Sequence, residues 1–389
     1  MFDFDTVLDR RGTNSVKWDV AAGELPMWVA DMDFATAPAI TAAVADKARS
    51  GIFGYGTVPA AYGEAIAAWW GGRYGWTVDP EWVVFCDGIV PAVSSFVRTF
   101  AGEGEGVVLQ SPDYNCFYSS VRNSGRTVLV NNLAYDRAAR RFTIDWADLE
   151  ARLADPLAKV FLLCNPQNPT GQIWSADDLA RMGALAAAHG VTVIADEIHC
   201  DITAPGTTYT PYASVAHNEP NSITLVSPTK SFNIPGLQAA AVIVPDPGQR
   251  ARVAASLNRD EIVDPGAFAV EATIAAYSAG AEWLDALREY VWGNRRFFEA
   301  YVAERLPELV VIPAEATYLV WVDCGALGAD SDQFAAFLRE QTGLFVNPGG
   351  MYGDNTRTFI RVNLACPRTL VEDGLARLAA GVAKWQTRA

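Results

Sequence analysis

A lysine follows a short apolar run in Ser227-Pro228-Thr229-Lys230-Ser231-Phe232-Asn233, flanked by small hydroxyl residues. Upstream, Asp196 and Glu197 close the run Thr192–Ala195, and Asn165-Pro166-Gln167-Asn168-Pro169-Thr170-Gly171 closes the run Val160–Cys164. A lysine amine condenses with an aldehyde and afterwards carries a proton. A carboxylate keeps a pyridine nitrogen protonated, and an Asn amide donates to a phenolic oxygen. The ordinary place for a single lysine is a solvated turn. Three such residue types together, each at the end of an apolar run, are what chemistry on pyridoxal 5'-phosphate (PLP) needs.

These ends belong to seven strand-like runs: Val83–Cys86, Val107–Gln110, Thr127–Val130, Val160–Cys164, Thr192–Ala195, Ile223–Ser227 and Ala240–Val244. Most are bounded by Gly, Pro, Asn or Asp and are apolar on both faces, as buried strands are. Helical stretches fall between them, among them Val90–Phe100 and Asp177–Ala188, the latter with Ser175 as N-cap. The alternation predicts an α/β domain with a mostly parallel seven-stranded sheet flanked by helices. Such sheets hold ligands at the carboxyl ends of their strands. Residues 1–45 lack the alternation. After residue 270 come one long helical stretch (Phe268–Arg305), strand-like runs at Tyr318–Asp323 and Thr358–Asn363, and helical stretches Asp332–Thr342 and Leu370–Lys384. The expected division is a large domain over 46–275 and a smaller α+β domain built from 1–45 and 276–389.

The chain has 389 residues, half of them hydrophobic, and a formal net charge of -15. That charge repels nucleic acid and anionic lipid, so neither is expected as a partner. Six cysteines without C-x-x-C spacing suggest neither a zinc site nor a disulfide framework, and no metal is expected. The first residues carry no apolar leader-like run, and no apolar stretch approaches about 18 residues, so the expected location is the cytoplasm.

The order NPxNPTG, ADE, SxTKxFN resembles the fold-type I PLP enzymes of the aspartate aminotransferase superfamily. Within it the chain is similar to the MalY/PatB branch of cystathionine β-lyases and related carbon–sulfur lyases. The segments that carry this are Pro26-Met27-Trp28-Val29-Ala30-Asp31-Met32-Asp33-Phe34, Phe53-Gly54-Tyr55-Gly56, Asp196-Glu197-Ile198-His199-Cys200-Asp201, Phe232-Asn233-Ile234-Pro235-Gly236-Leu237-Gln238 and Arg361-Val362-Asn363-Leu364-Ala365-Cys366-Pro367. They run over nearly the whole chain.

The resemblance implies that Lys230 is the Schiff-base lysine and general base. It implies that Asp196 pairs with the pyridine nitrogen, Asn168 bonds the phenolic oxygen and Tyr114 stacks on the ring. His199 stands where aminotransferases carry a tyrosine. Asp87-Gly88-Ile89-Val90 resembles the phosphate turn, with Gly88 and Ile89 offering free N–H groups at a helix start and Ser227 and Thr229 adding hydroxyls. Arg361 resembles the arginine that grips the substrate carboxylate, with Asn168 beside it and backbone groups around Ala30 and Asp31 closing over. Tyr55 matches a tyrosine that crosses to a neighbour's phosphate, which implies a homodimer. Gln238 replaces an arginine usual in aminotransferases. The implied reaction is PLP-dependent β-elimination of cysteine S-conjugates such as L-cystathionine, giving a thiol, pyruvate and ammonia in sulfur amino-acid metabolism and methionine biosynthesis. The alternatives are an aminotransferase on the same scaffold and a lyase with a regulatory protein-binding role.

Overall fold

In the computed structural model, which describes residues 2–388, all seven strand-like runs pair in one sheet. Positions 1 and 389, counted in the expected smaller domain, lie outside the described residues. The strands are β1 (Val83–Cys86), β2 (Gly106–Ser111), β3 (Thr127–Asn132), β4 (Ala158–Cys164), β5 (Thr192–Asp196), β6 (Ser222–Val226) and β7 (Ala240–Ile243). Their order across the sheet is β1-β7-β6-β5-β4-β2-β3. Neighbours from β6 to β3 run parallel, whereas β7 is antiparallel to both β1 and β6. Two successive reversals cancel, so β1 points the same way as β6, and six strands end at one edge.

The reason these strands read as unbroken apolar runs is visible in where alternate residues go. Along β4, Val160, Leu162 and Cys164 enter one hydrophobic cluster with Phe96, Leu109 and Leu225. Phe161 and Leu163 enter another on the opposite face with Val193, Met182 and Trp321. Both faces are covered, so neither register leaves a polar row.

Helix α1 (Pro38–Ser50), α2 (Ala60–Tyr74), α3 (Ile89–Phe100) and α4 (Ala176–Ala188) flank this sheet, with others between. Ser175 caps α4 in a reciprocal box with Asp178. The expected single helix Phe268–Arg305 is two helices, α5 (Ala269–Ala279) and α6 (Ala281–Arg305), meeting at Gly280. A Cβ there would fall 2.4 Å from both the Ala276 carbonyl oxygen and the Phe232 ring. Phe232, in the lysine turn, presses into the notch that the glycine leaves and stacks on Trp283 at 5.9 Å.

The second sheet holds β8 (Val310–Val311), β9 (Leu319–Asp323), β10 (Asn347–Pro348) and β11 (Phe359–Asn363), all antiparallel in the order β8-β9-β11-β10. Helices α7 (Ser331–Thr342) and α8 (Arg368–Thr387) pack with it. The N-terminal segment divides between two cores. Trp18, Leu25 and Met27 join the cluster around this second sheet, and Leu25–Pro26 pairs with Leu344–Phe345. Phe34 and Ile40 join the cluster of α2, α5 and Phe232. The residues between, 28–33, are thereby drawn across the carboxyl edge of the large sheet. Among the described residues no helix is long and apolar enough to cross a membrane.

Candidate active site

Cys164, Asp196 and Leu225 stand level on adjacent strands. Asn168, Asp196 and Lys230 therefore emerge side by side and open onto one cavity of about 430 Å³. β1 and β2 end at the same edge and bring Gly88, Ile89 and Tyr114 to its wall, while His199, Ser227, Thr229 and Ala30 complete it. Residues scattered over two hundred positions of sequence meet because parallel strands share an edge.

The Lys230 amine donates to the Ala30 carbonyl at 2.6 Å. Burial first, and then the charge of Arg361, bring its pKa down to about 8. Asp196 is buried and accepts from the Ile198 N–H at 3.0 Å. Burial pushes its carboxyl up to about 7 against the opposing effects of that hydrogen bond and of Lys230. A carboxylate so reluctant to ionise alone gains by facing a cationic N–H, which is what a protonated pyridine offers. His199 is buried with Nδ1 unpaired. Burial, reinforced by the charges of Lys230 and Arg361, takes it down to about 3, so the imidazole is neutral.

Arg361 sits in β11, paired across to Trp321 and Asn347. Its Nη1 donates to Asn168 Oδ1 at 3.0 Å and its Nη2 to the Trp28 carbonyl at 3.0 Å. The guanidinium lies over the Tyr352 ring at 4.9 Å, and Nε is buried without a partner. Neutral acceptors leave the charge uncompensated, and an unpaired buried N–H costs about 1–3 kcal/mol. A carboxylate supplies both deficits at once.

At the other end, α3 begins at Gly88 in extended backbone with no side chain capping its first N–H groups. Such a terminus accepts a phosphate. The donor set therefore fits PLP: an amine, an acid for the ring nitrogen, an uncapped helix start and a tyrosine at the wall. Among the described residues no group of three or more His, Cys, Asp or Glu is arranged to hold a metal.

Three expected residues lie outside the cavity wall: Arg361, which reaches it through Asn168, and Asp31 and Tyr55. Asp31 turns its carboxylate to Arg10 at 2.6 Å and Lys17 at 3.5 Å, and only its neighbour Ala30 reaches the cavity wall. Tyr55 is fully exposed and touches no part of the cavity in the single chain. Other residues were not legible. Tyr318 donates to the Ala30 oxygen at 3.0 Å, the oxygen that also takes Lys230. Asn363 donates to the carbonyls of Val29 and Asp31, and Asn233 to those of Met32 and Phe34. Asp201 accepts from Ser231 at 3.1 Å and Trp69 at 2.9 Å, bracing the turn of Lys230. These act through backbone or through one another, and no spacing in the sequence announces that, although Asp201, Asn233 and Asn363 fall within the segments that carry the resemblance.

A family model described as aminotransferase class I and II matches residues 25–378. The chain is 41% identical to cystathionine beta-lyase PatB of Bacillus subtilis, covering 98% of this chain and 100% of that protein. It is 38% identical to protein MalY of Escherichia coli, covering 97% and 98% respectively. Among solved structures, cystalysin of Treponema denticola, which contains a PLP cofactor, superposes with a TM-score of 0.95 at 28% identity, covering 99% of each chain. With the family match spanning most of the sequence, and with seven strands, an edge cavity and its lysine in place, this chain belongs to the aminotransferase class I and II family.

Proposed function

We propose that the cavity binds PLP at Lys230 and that the protein catalyses β-elimination of cysteine S-conjugates such as L-cystathionine, releasing a thiol, pyruvate and ammonia. The observation that carries this is a buried amine in the cavity wall, its pKa brought down to about 8, together with an uncompensated buried guanidinium that reaches the cavity through Asn168. The first suits covalent attachment of an aldehyde. The second suits an α-carboxylate. The names of the relatives, cystathionine beta-lyase foremost, support the choice of elimination.

When bound, PLP supplies an aldehyde for amines and a cationic ring that delocalises the electron pair left at the substrate α-carbon. Asp196 would keep the ring nitrogen protonated by facing it with a carboxylate. Asn168, whose oxygen is committed to Arg361, has its amide N–H groups free for a phenolic oxygen. Tyr114, at the cavity wall, would flank the ring. Arg361 holds the substrate carboxylate and so fixes which α-bond faces Lys230. The Lys230 amine, once free, would take the α-proton; in the structure it donates to the Ala30 carbonyl oxygen, which also accepts from Tyr318. Loss of the β-thiolate follows readily because a thiol's pKa is only about 8.5. The enamine left after the thiolate departs would be released and hydrolysed by water to pyruvate and ammonia.

Tyr55 belongs in this reading as a group supplied to the cavity of a second copy, which makes the active unit a homodimer. The substrate class places the reaction in sulfur amino-acid metabolism, methionine biosynthesis included, in the cytoplasm.

Purified protein mixed with PLP will show a visible absorbance band that disappears in Lys230→Ala, and the loaded wild type will consume L-cystathionine. A band of equal strength in Lys230→Ala, or no band at all, overturns the assignment.

A further inference from the structure

The phosphate end of the cavity carries the wrong charge for a dianion. Among the described residues the one cation in the cavity wall is Lys230, and its amine is turned to Ala30. Asp87 stands beside the uncapped start of α3, in the same wall, and its carboxylate makes no hydrogen bond. Burial, with repulsion from Asp264 added, raises its proton affinity. The groups expected to offset this do not. Ser227 Oγ donates to the Ala239 carbonyl at 2.7 Å, and the Thr229 hydroxyl lies 2.7 Å from Ser227 Oγ, so the two hydroxyls face one another. Gln238, at the end of the turn Pro235–Leu237, lines the wall with a neutral amide in a left-handed backbone position (φ 50).

The charged groups around this end can be named element by element. The turn before α3 contributes Asp87. The segment that packs on it through the Asp87 N–H to Ile262 oxygen bond (3.2 Å) contributes Asp264. Arg98 of α3 is paired with Asp260 at 2.6 Å. The end of β5 contributes Asp196, and the lysine turn contributes Lys230. The turn Pro235–Leu237 and Gln238 contribute none.

We propose that Asp87 and Gln238 make this end selective for the singly charged phosphate ester, whose remaining P–OH donates to the Asp87 carboxylate. The inference rests on the PLP reading above. A phosphate monoester loses its second proton near pH 6. Above that pH the dianion meets Asp87 with no proton between them and no cation in compensation. The phosphate then contributes less to holding the cofactor as pH rises, the reverse of what an arginine at position 238 gives.

The test compares PLP with pyridoxal, which lacks the phosphate, on the apoprotein at pH 6 and pH 8. The ratio of the two Kd values removes the titration of Lys230 and of the ring, which both ligands share. In the wild type the advantage of PLP over pyridoxal should fall by up to roughly fiftyfold between pH 6 and pH 8, following the singly charged fraction. In Asp87→Asn, an isosteric change at a side chain without hydrogen bonds, the fall should vanish. In the exposed Gln238→Arg the advantage should grow at both pH values, and more at pH 8. A wild-type advantage that stays constant or rises with pH overturns the inference while leaving the cofactor reading intact. PLP that binds nowhere in this range overturns both.

Discussion

Burial moves the two charges under the cavity toward each other, Lys230 down to about 8 and Asp196 up to about 7. The consequence for Lys230 has a definite sign. Below about pH 8 the amine holds its extra proton and has no lone pair for an aldehyde, so attachment is slow; above it the amine is free. The rate at which apoprotein captures pyridoxal, followed by absorbance, should therefore rise with pH and reach half its limit near pH 8. An unperturbed lysine would place that midpoint near pH 10.4. Arg361→Lys keeps a positive charge but loses the fork held between Asn168 and Trp28. We expect kcat/KM to drop roughly a hundredfold, about 3 kcal/mol, in steady-state assays. Lys230, Asp196 and Asn168 were legible because their chemistry and their place at strand ends coincide in the sequence. Tyr318 was not, because what it does is donate to a backbone oxygen that Lys230 shares, and only the fold brings those two together.

At the level of elements, the sequence showed where strands are but not which way they run. All seven runs were identifiable from apolar β-branched composition, yet nothing in Ala240–Ile243 says that β7 opposes its neighbours. Direction is fixed by the connections, and two reversals around β7 are what return β1, with its phosphate turn, to the productive edge. The cap of α4 was legible because Ser175 immediately precedes the helical pattern, and the structure adds Asp178 as its reciprocal partner; Ser175→Ala should cost about 1 kcal/mol in urea unfolding. The break at Gly280 was not legible, since a single glycine does not end a helical pattern. Its cause lies in Phe232, far away in sequence. Gly280→Ala pushes a methyl group into that ring and into the Ala276 carbonyl, and should destabilise the protein by about 2–3 kcal/mol, read as a lower urea midpoint. Because Phe232 follows the lysine turn, the same variant should also bind PLP more weakly.

For the molecule as a whole, one surface feature bears on the proposed homodimer. Ile52, Phe53 and Tyr55 are 71%, 55% and 103% exposed in the single chain, an apolar run of a kind that a folded monomer seldom shows to water. In the proposed homodimer a second copy covers this run and takes Tyr55 into its cavity, so sedimentation should return twice the mass of one chain. Tyr55→Phe should keep that mass but retain PLP less well on dialysis. The arrangement of the two sheets, with residues 28–33 drawn between their cores, also explains how Trp28 and Ala30 carbonyls come to serve Arg361 and Lys230 together. The central claim is that this assembly eliminates rather than transaminates. The most direct measurement is the stoichiometry of turnover on L-cystathionine with no 2-oxo acid added. The account predicts continuous release of one pyruvate and one thiol for each cystathionine consumed. Turnover that stops after one equivalent per site, and resumes only when a 2-oxo acid is supplied, would contradict it.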